Sequence, residues 1–243
     1  MTSFPDQTVE KAWTSSFLSE LPSASARDLL ARVYRMDVAA GHVIYPELPK
    51  PERGFTALVL SGLVRVYVTS PKGRRMTTRY ARTGEVIGLP SLLLGGAPVG
   101  VDAITPASLL QLDVPTVVRM TSTNASFAAA VARELARQLI RVEALLAGNV
   151  FGTVRERVAR HLLALAAPQG ELQVAVVSQQ ELADSIGSVR EVIGRVLIQF
   201  RDEGHVRRDR TQIVILDPEA LARVAEGRGS DVVTGPDPSR AGD

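Results

Sequence analysis

The stretch SQQELADSIGSVREVIGRVLIQF, residues 178–200, decides how the C-terminal part of the chain folds. It reads as two short helices joined by a tight turn. Ser178 is followed three residues later by Glu181, and Ser188 three residues later by Glu191, two S-x-x-E capping-box patterns. In such a box the serine hydroxyl accepts from an otherwise unpaired first-turn N–H, and the glutamate reaches back to the serine N–H. Leu182 and Ile186 give the first helix an apolar side, and Gly187 falls where the chain must turn with a positive φ. Ala183 is small enough to let the two helices approach. Ile193, Val196, Leu197 and Phe200 then follow i, i+3, i+4, i+7, a buried helical stripe.

The opposite side of the second helix carries Glu191, Arg195 and Asp202, with Arg190 at its start. This is the pattern of a helix-turn-helix that offers charged groups to a DNA major groove. Arginine presents two donors to guanine O6 and N7, and glutamate accepts from cytosine N4, so Arg190, Glu191 and Arg195 are the candidate base readers. The competing reading makes Glu191 a cap and the Glu191/Arg195 couple an i, i+4 ion pair. Ser178, Gln179 and Gln180 open the first helix and Ser188 the second, where phosphate contacts are common. After Gly204, the run VRRDRTQIVILD offers two β segments with arginines between them, a hairpin or wing. Arg207, Arg208 and Arg210 would stand beside the DNA backbone, with Arg208 and Arg210 singled out.

Upstream the texture differs. Residues 1–36 look helical after a loose start, with Pro22 and Ser23 marking a break and an N-cap between two short helices. From 37 to 114 come short β-rich runs punctuated by glycine: HVIY, FTALVL, LVRVYV, MTTRYA, VGVDAIT and SLLQLDV. They suggest an antiparallel sandwich or barrel. Residues 72–82 hold Lys72, Arg74, Arg75, Arg79 and Arg82 with no acid. Their favoured reading is a solvated hairpin with arginines outward, against an anion patch. From Val114 to about Gly148 the period is helical, with Pro115 in the first turn. Val131, Leu135, Gln138, Val142, Leu145 and Asn149 form a heptad seam beside a second stripe of Ala132, Leu139 and Leu146. One seam can pack on the β domain and the other on a second chain, and the first set is the expected dimer interface. Gly148 is a candidate hinge. Residues 227–243, rich in Gly, Pro, Ser and Asp, are expected to be a disordered tail.

The bulk properties fit this division. A chain of 243 residues is long enough for two domains, and 45% apolar with 22% charged residues suits a globular protein. The net charge of +2 makes it no polycation. Absence of cysteine excludes disulfides, thiol catalysis and cysteine-ligated iron–sulfur clusters. No apolar run spans a membrane and no signal segment is visible, so a cytoplasmic location is expected. His42, His161 and His205 share no metal-ligand spacing, and no nucleophile or phosphate-binding motif stands in a fitting context. No catalytic or metal-binding residue is therefore assigned. The alternative class, a β-barrel small-molecule-binding protein or cupin-like metal enzyme, wants several clustered histidines where the β region has only His42.

GSVREVIGRVL at 187–197, SQQELADSI before it and the wing after it resemble the C-terminal domain of the cyclic-AMP receptor protein/FNR superfamily of bacterial transcription regulators. TGEVIGLPSLL at 83–93 resembles that family's β-roll. The resemblance implies an α+β fold: an N-terminal antiparallel β-roll of the cyclic-nucleotide-binding kind (15–114), a long dimerisation helix (115–148) and a C-terminal winged helix-turn-helix (152–220). It implies a homodimer on double-stranded DNA, reading palindromic half-sites of the TGTGA or TTGA kind. RNA polymerase is a further candidate partner, and no membrane is one. An effector pocket would gather Gly84, Glu85, Gly88, Leu89, Ala97, Pro98, Val142 and Glu143. Here Leu89 falls where the family's cyclic-AMP binders have the ribose-binding glutamate, and the Arg-Ser phosphate pair falls near Ala97 and Pro98. Near Val142 and Glu143 the polar pair that meets adenine is replaced. Cyclic AMP is therefore not the expected effector, and no cofactor is assigned. Val189 stands where many relatives have a small hydroxyl residue.

Overall fold

The computed structural model describes residues 4–47, 54–73, 75–169, 171–209 and 212–228. Residues 229–243, most of the expected tail, lie outside them, as does Arg210. The chain divides into two compact units, the division falling between Leu146 and Ala147.

The first unit opens with α1 (Gln7–Thr14), a 3₁₀ turn (Phe17–Glu20) and α2 (Ser23–Leu30). Asp6 caps α1 by accepting from Val9 N at 2.9 Å. Ser23 is already inside α2, whose N-cap is Pro22 rather than the serine. The helical reading of residues 1–36 ends too late, because β1 (Tyr34–Val38) begins there and pairs antiparallel with β8 (Ala107–Gln111). Between them come β2 (Val43–Tyr45), β3 (Ala57–Ser61), β4 (Val64–Thr69), β5 (Arg75–Ala81), β6 (Val86–Ile87), α3 (Leu89–Leu94) and β7 (Gly100–Ala103). Two antiparallel four-stranded sheets result, ordered β1-β8-β3-β6 and β2-β7-β4-β5.

β3 explains the layering. Its run Ala57-Leu58-Val59-Leu60 is buried at every residue. Side chains alternate across a strand. Ala57 and Val59 join a core with Val64, Val101 and Leu109, while Leu58 and Leu60 join another with Trp13, Leu18, Leu29 and Phe127. The β-roll is thus dry on both faces of this sheet, between the second sheet and a helical layer.

The helical stretch from Val114 is two helices, α4 (Val114–Thr123) and α5 (Ala125–Val150), not one. Asn124, extended at φ −127° and ψ 102°, breaks them. Its Oδ1 accepts from Phe127 N at 3.0 Å, so the break is also the cap of α5. Gly148 lies inside α5, and the turn follows Val150.

The second unit contains α6 (Val154–Leu165), β9 (Ala167–Gln169), β10 (Leu172–Val176), α7 (Gln179–Ile186), α8 (Arg190–Asp202), β11 (Val206–Asp209), β12 (Gln212–Ile215) and α9 (Pro218–Ala225). Its antiparallel sheet runs β11-β12-β10-β9. Val158, Leu162, Leu182, Ile193, Phe200 and Leu221 are buried in it. Two arginines of α6 bind helix ends: Arg157 donates to Ile186 O at 3.1 Å and Arg160 to Ala225 O at 3.0 Å. Each places a cation where a helix dipole is negative.

Candidate nucleic-acid interface and β-roll cavity

The helix-turn-helix is α7, its turn and α8. Ser178 Oγ accepts from Glu181 N at 3.1 Å and Glu181 Oε2 accepts from Ser178 N at 2.8 Å, a complete capping box. Gly187 ends α7 at φ 68°. There Gly187 N donates to Asp184 O at 3.3 Å and Ser188 N to Ala183 O at 2.9 Å, the paired bonds of a Schellman ending. This corrects the second capping box. The Ser188 N–H is committed to closing α7, α8 starts one residue later, and its N-cap is Val189 with no side-chain cap bond.

Ile193, Val196, Leu197 and Phe200 are buried, as the stripe requires, and Arg190, Glu191 and Arg195 are exposed. The Glu191/Arg195 ion pair of the competing reading is not made: among the described residues neither has a salt-bridge partner within 4.0 Å. A groove brings together Ser178, Gln179, Gln180, Arg190 and Arg208. It joins the first turn of α7, the first residue of α8 and the wing strand β11. Ser178 Oγ, accepting in its cap, keeps its O–H for donation. Ser188 is half-buried outside this groove, and Arg207 is exposed beside Arg208.

Gly194 lies within α8, and a Cβ there would meet only the Gln179 amide at 3.8 Å. Replacing a mid-helix glycine by alanine removes backbone entropy from the unfolded chain. Gly194→Ala should therefore stabilise this unit by about 0.5–1 kcal/mol, read as a higher denaturant midpoint. A lower midpoint would show that the helix interior requires the glycine.

The first unit contains a cavity of about 300 Å³ between the β-roll and α5. Of the expected pocket residues it is lined by Gly88, Ala97 and Val142. Gly84 and Glu85 instead line a separate groove with Ser15, Glu134 and Arg137. Leu89 is buried in the helix-side core, and Pro98 and Glu143 are exposed outside the cavity. The walls the sequence did not reveal are Tyr45, Phe55, Val66, Ile87, Val99 and Val101, with Thr78, Arg79, Gln138 and Arg141 as polar groups.

Lys72 and Arg75 are exposed, as the reading of an outward-facing hairpin expects, but Arg79 departs from it. The Arg79 side chain is only 16% exposed. A register shift between Val66 and Tyr67 pairs Tyr67 with Thr77 and Val66 with Arg79, leaving Thr78 as an extra residue. The bulge turns Arg79 to the face of Val66, inside the cavity. On the other face, Arg65 grips buried Asp102 at 2.9 and 2.6 Å, and Arg75 stacks over the Tyr67 ring at 4.5 Å.

The expected dimer seam divides. Val131 is 2% exposed and belongs to the chain's own core, Leu135 packs against that core, and Gln138 lines the cavity. Val131 is thus removed from any interface. Val142 of the expected seam is exposed (41%), as are Leu139 (59%) and Leu146 (57%) of the second stripe and Val150 (69%), three to four residues apart on α5, while Leu145 and Asn149 are half-buried.

A cyclic nucleotide-binding domain model matches residues 35–124, and a Crp-like helix-turn-helix domain model matches residues 156–224. The transcriptional regulator LdrP of Thermus thermophilus is 35% identical over 169 residues, covering 68% of this chain and 84% of that protein. The chain belongs to the Crp/Fnr family of transcription regulators.

A second relative, the CRP-like cAMP-activated global transcriptional regulator of Mycobacterium tuberculosis, is 27% identical over 211 residues, 84% of this chain and 93% of that one. Among solved structures, a CRP/FNR-family transcriptional regulator from Thermus thermophilus matches with a TM-score of 0.67 at 27% identity, covering 81% of this chain and all of that one. A Crp/Fnr member is a DNA-binding regulator rather than an enzyme, which sets aside the cupin-like alternative. His42, His161 and His205 lie on separate elements: before β2, on α6 and after α8. No helix among the described residues is long and apolar enough to cross a membrane.

Proposed function

We propose that this regulator acts as a homodimer on a palindromic promoter site, reads each half-site with Arg190, Glu191 and Arg195, and answers to an effector other than cyclic AMP held in the β-roll cavity. One observation carries the DNA part. Three charged side chains of α8 are exposed without ion-pair partners among the described residues, next to a groove holding the phosphate-type contacts Ser178, Gln179, Gln180 and Arg208. Unpaired guanidinium groups near a helix start are free to meet base edges. The dimer is supported by the stripe Leu139, Val142, Leu146 and Val150, apolar at coiled-coil-like spacing and uncovered in the single chain. The relative from Mycobacterium tuberculosis is cAMP-activated by name, but the cavity wall here presents Ala97, Val99 and Val101. A phosphodiester would find neither charge nor hydroxyl at Ala97, where the resemblance places the phosphate-binding pair; the cavity's buried cation, Arg79, stands on β5.

Recovery of bound genomic fragments, followed by footprinting, tests the reading. The expected site is two-fold symmetric, with half-sites one helical turn apart. The double variant Leu139→Glu, Leu146→Glu should sediment as a monomer and bind that site about 100-fold more weakly, since each half-site is then held alone. An asymmetric site, or a monomeric variant with normal affinity, would defeat the dimer reading.

A further inference from the structure

We infer that the β-roll cavity takes an apolar monocarboxylate, its hydrocarbon part between the cavity walls and its carboxylate on the Arg79 guanidinium. The inference rests on the cavity being the effector site and names the chemical class of its ligand.

The walls set the first half. At about 300 Å³ the cavity has the size of a small-molecule site. Tyr45 and Phe55 stack with centroids 5.7 Å apart and planes 23° apart, making a flat wall opposite aliphatic side chains. Such a surface suits a ring or a short hydrocarbon chain and offers little to a sugar.

The polar groups set the second half. Thr78, Gln138 and Arg141 are already engaged, and Ser91, which also lines the cavity, accepts one bond and keeps only its neutral O–H. Thr78 Oγ1 donates to Val66 O at 3.1 Å, and Ser91 Oγ accepts from Phe55 N at 3.1 Å. Gln138 Nε2 donates to Glu134 Oε1 at 2.9 Å, and Arg141 pairs with the same carboxylate at 3.0 Å. Arg79 is different. Its Nη2 donates to Val86 O at 2.9 Å, but its Nε has no hydrogen-bond partner among the described residues. The nearest carboxylate, Glu85, stands 4.0 Å away, while its other oxygen accepts from Arg82 N at 2.9 Å.

Burial draws the affinity of Arg79 for its proton below the usual arginine range, Glu85 and Glu134 oppose this, and Arg141 adds repulsion. A guanidinium stays protonated through such a shift. The cavity therefore keeps a charge that burial penalises and a buried Nε–H without a partner, both of which a carboxylate entering beside Arg79 would satisfy. A dianion would bring a second charge toward Glu85 and Glu134. A neutral apolar ligand would leave Arg79 as it is.

The test uses the full-length protein, with 3-phenylpropionate and octanoate as probes, the primary amide of each as its neutral partner, and cyclic AMP. Calorimetry and thermal shift should show saturable binding of at least one acid, with its amide roughly tenfold or more weaker, the scale of a charge-assisted hydrogen bond. In Arg79→Met, which keeps the apolar stem, the preference for acid over amide should vanish. Val101→Phe, which fills the cavity from another strand, should abolish binding of both. Equal binding of acid and amide by the native protein overturns the proposal, a comparison that needs no variant to fold. So does a preference that survives in Arg79→Met, no binding of either acid at millimolar concentration, or tight cyclic AMP binding that Arg79→Met removes. DNA binding measured on the same preparation separates the readings. Specific DNA binding with no acid bound sinks the carboxylate alone, and loss of specific DNA binding sinks the regulator reading itself.

Discussion

Gly88→Ala should collapse the stability of the β-roll. Gly88 has φ 83°, and a Cβ there would lie 1.9 Å from Phe55 O and 2.8 Å from Phe55 C. The obstacle is main chain, which cannot rotate away as the end of a side chain could. The left-handed conformation costs an alanine about 1–2 kcal/mol. The overlap requires β3 or α3 to shift, at the roughly 1–3 kcal/mol typical of overpacking. Together about 2–5 kcal/mol is a large part of the stability of an ordinary domain. Gly95→Ala is the matching control, because Gly95 has φ 74° but nothing within 4 Å of its added Cβ. The expected result is a thermal midpoint that falls far more for Gly88→Ala than for Gly95→Ala. Equal falls would mean that β3 yields and that overlap with Phe55 costs little. Because Gly88 also lines the cavity, a folded Gly88→Ala protein should have a displaced wall as well.

Arg190→Ala and Arg195→Ala should each weaken specific DNA binding by about 1–3 kcal/mol and relax preference at one base position. Both side chains are exposed and have no ion-pair partner to lose among the described residues, so neither change should lower the thermal midpoint appreciably. That separates a reading defect from a folding defect. Arg208→Ala gives the contrast, since Arg208 reaches the groove from the wing. It should weaken all sequences alike and reduce the slope of log K against log salt by about one. Competition titrations over single-base variants of the recovered site distinguish the two patterns. Normal discrimination in both α8 variants would move the base readers elsewhere.

The parts of this protein legible in its sequence are those fixed by neighbours along the chain. The Ser178–Glu181 box and the stripe from Ile193 to Phe200 each lie within one or two helical turns, and both form. The Ser188–Glu191 pattern has the same letters and fails, because the Gly187 ending takes the Ser188 N–H first. Local patterns compete, and the stronger backbone geometry wins. The break at Asn124 was signalled by asparagine's preference for caps, which an uninterrupted apolar period concealed. Of the cavity only Gly88, Ala97 and Val142 were anticipated, and those from the family resemblance rather than from a local pattern. Tyr45, Phe55 and Arg141 meet there from β2, the approach to β3 and α5, a convergence with no local signature. Arg79 was hidden by strict alternation: counted from Arg75 by twos it faces outward, and one extra residue at Thr78 reverses that.

β3 links the two cores in a way that bears on how the β-roll melts. Ala57 and Val59 belong to the core beside the cavity, Leu58 and Leu60 to the core under the helices, and one backbone holds all four. Neither core can open without exposing the other's wall, so the unit has no cheap partial unfolding around its cavity. A ligand that tightens the cavity wall is then felt as cooperativity of the whole β-roll, including the layer where Phe127 and Val131 anchor the start of α5.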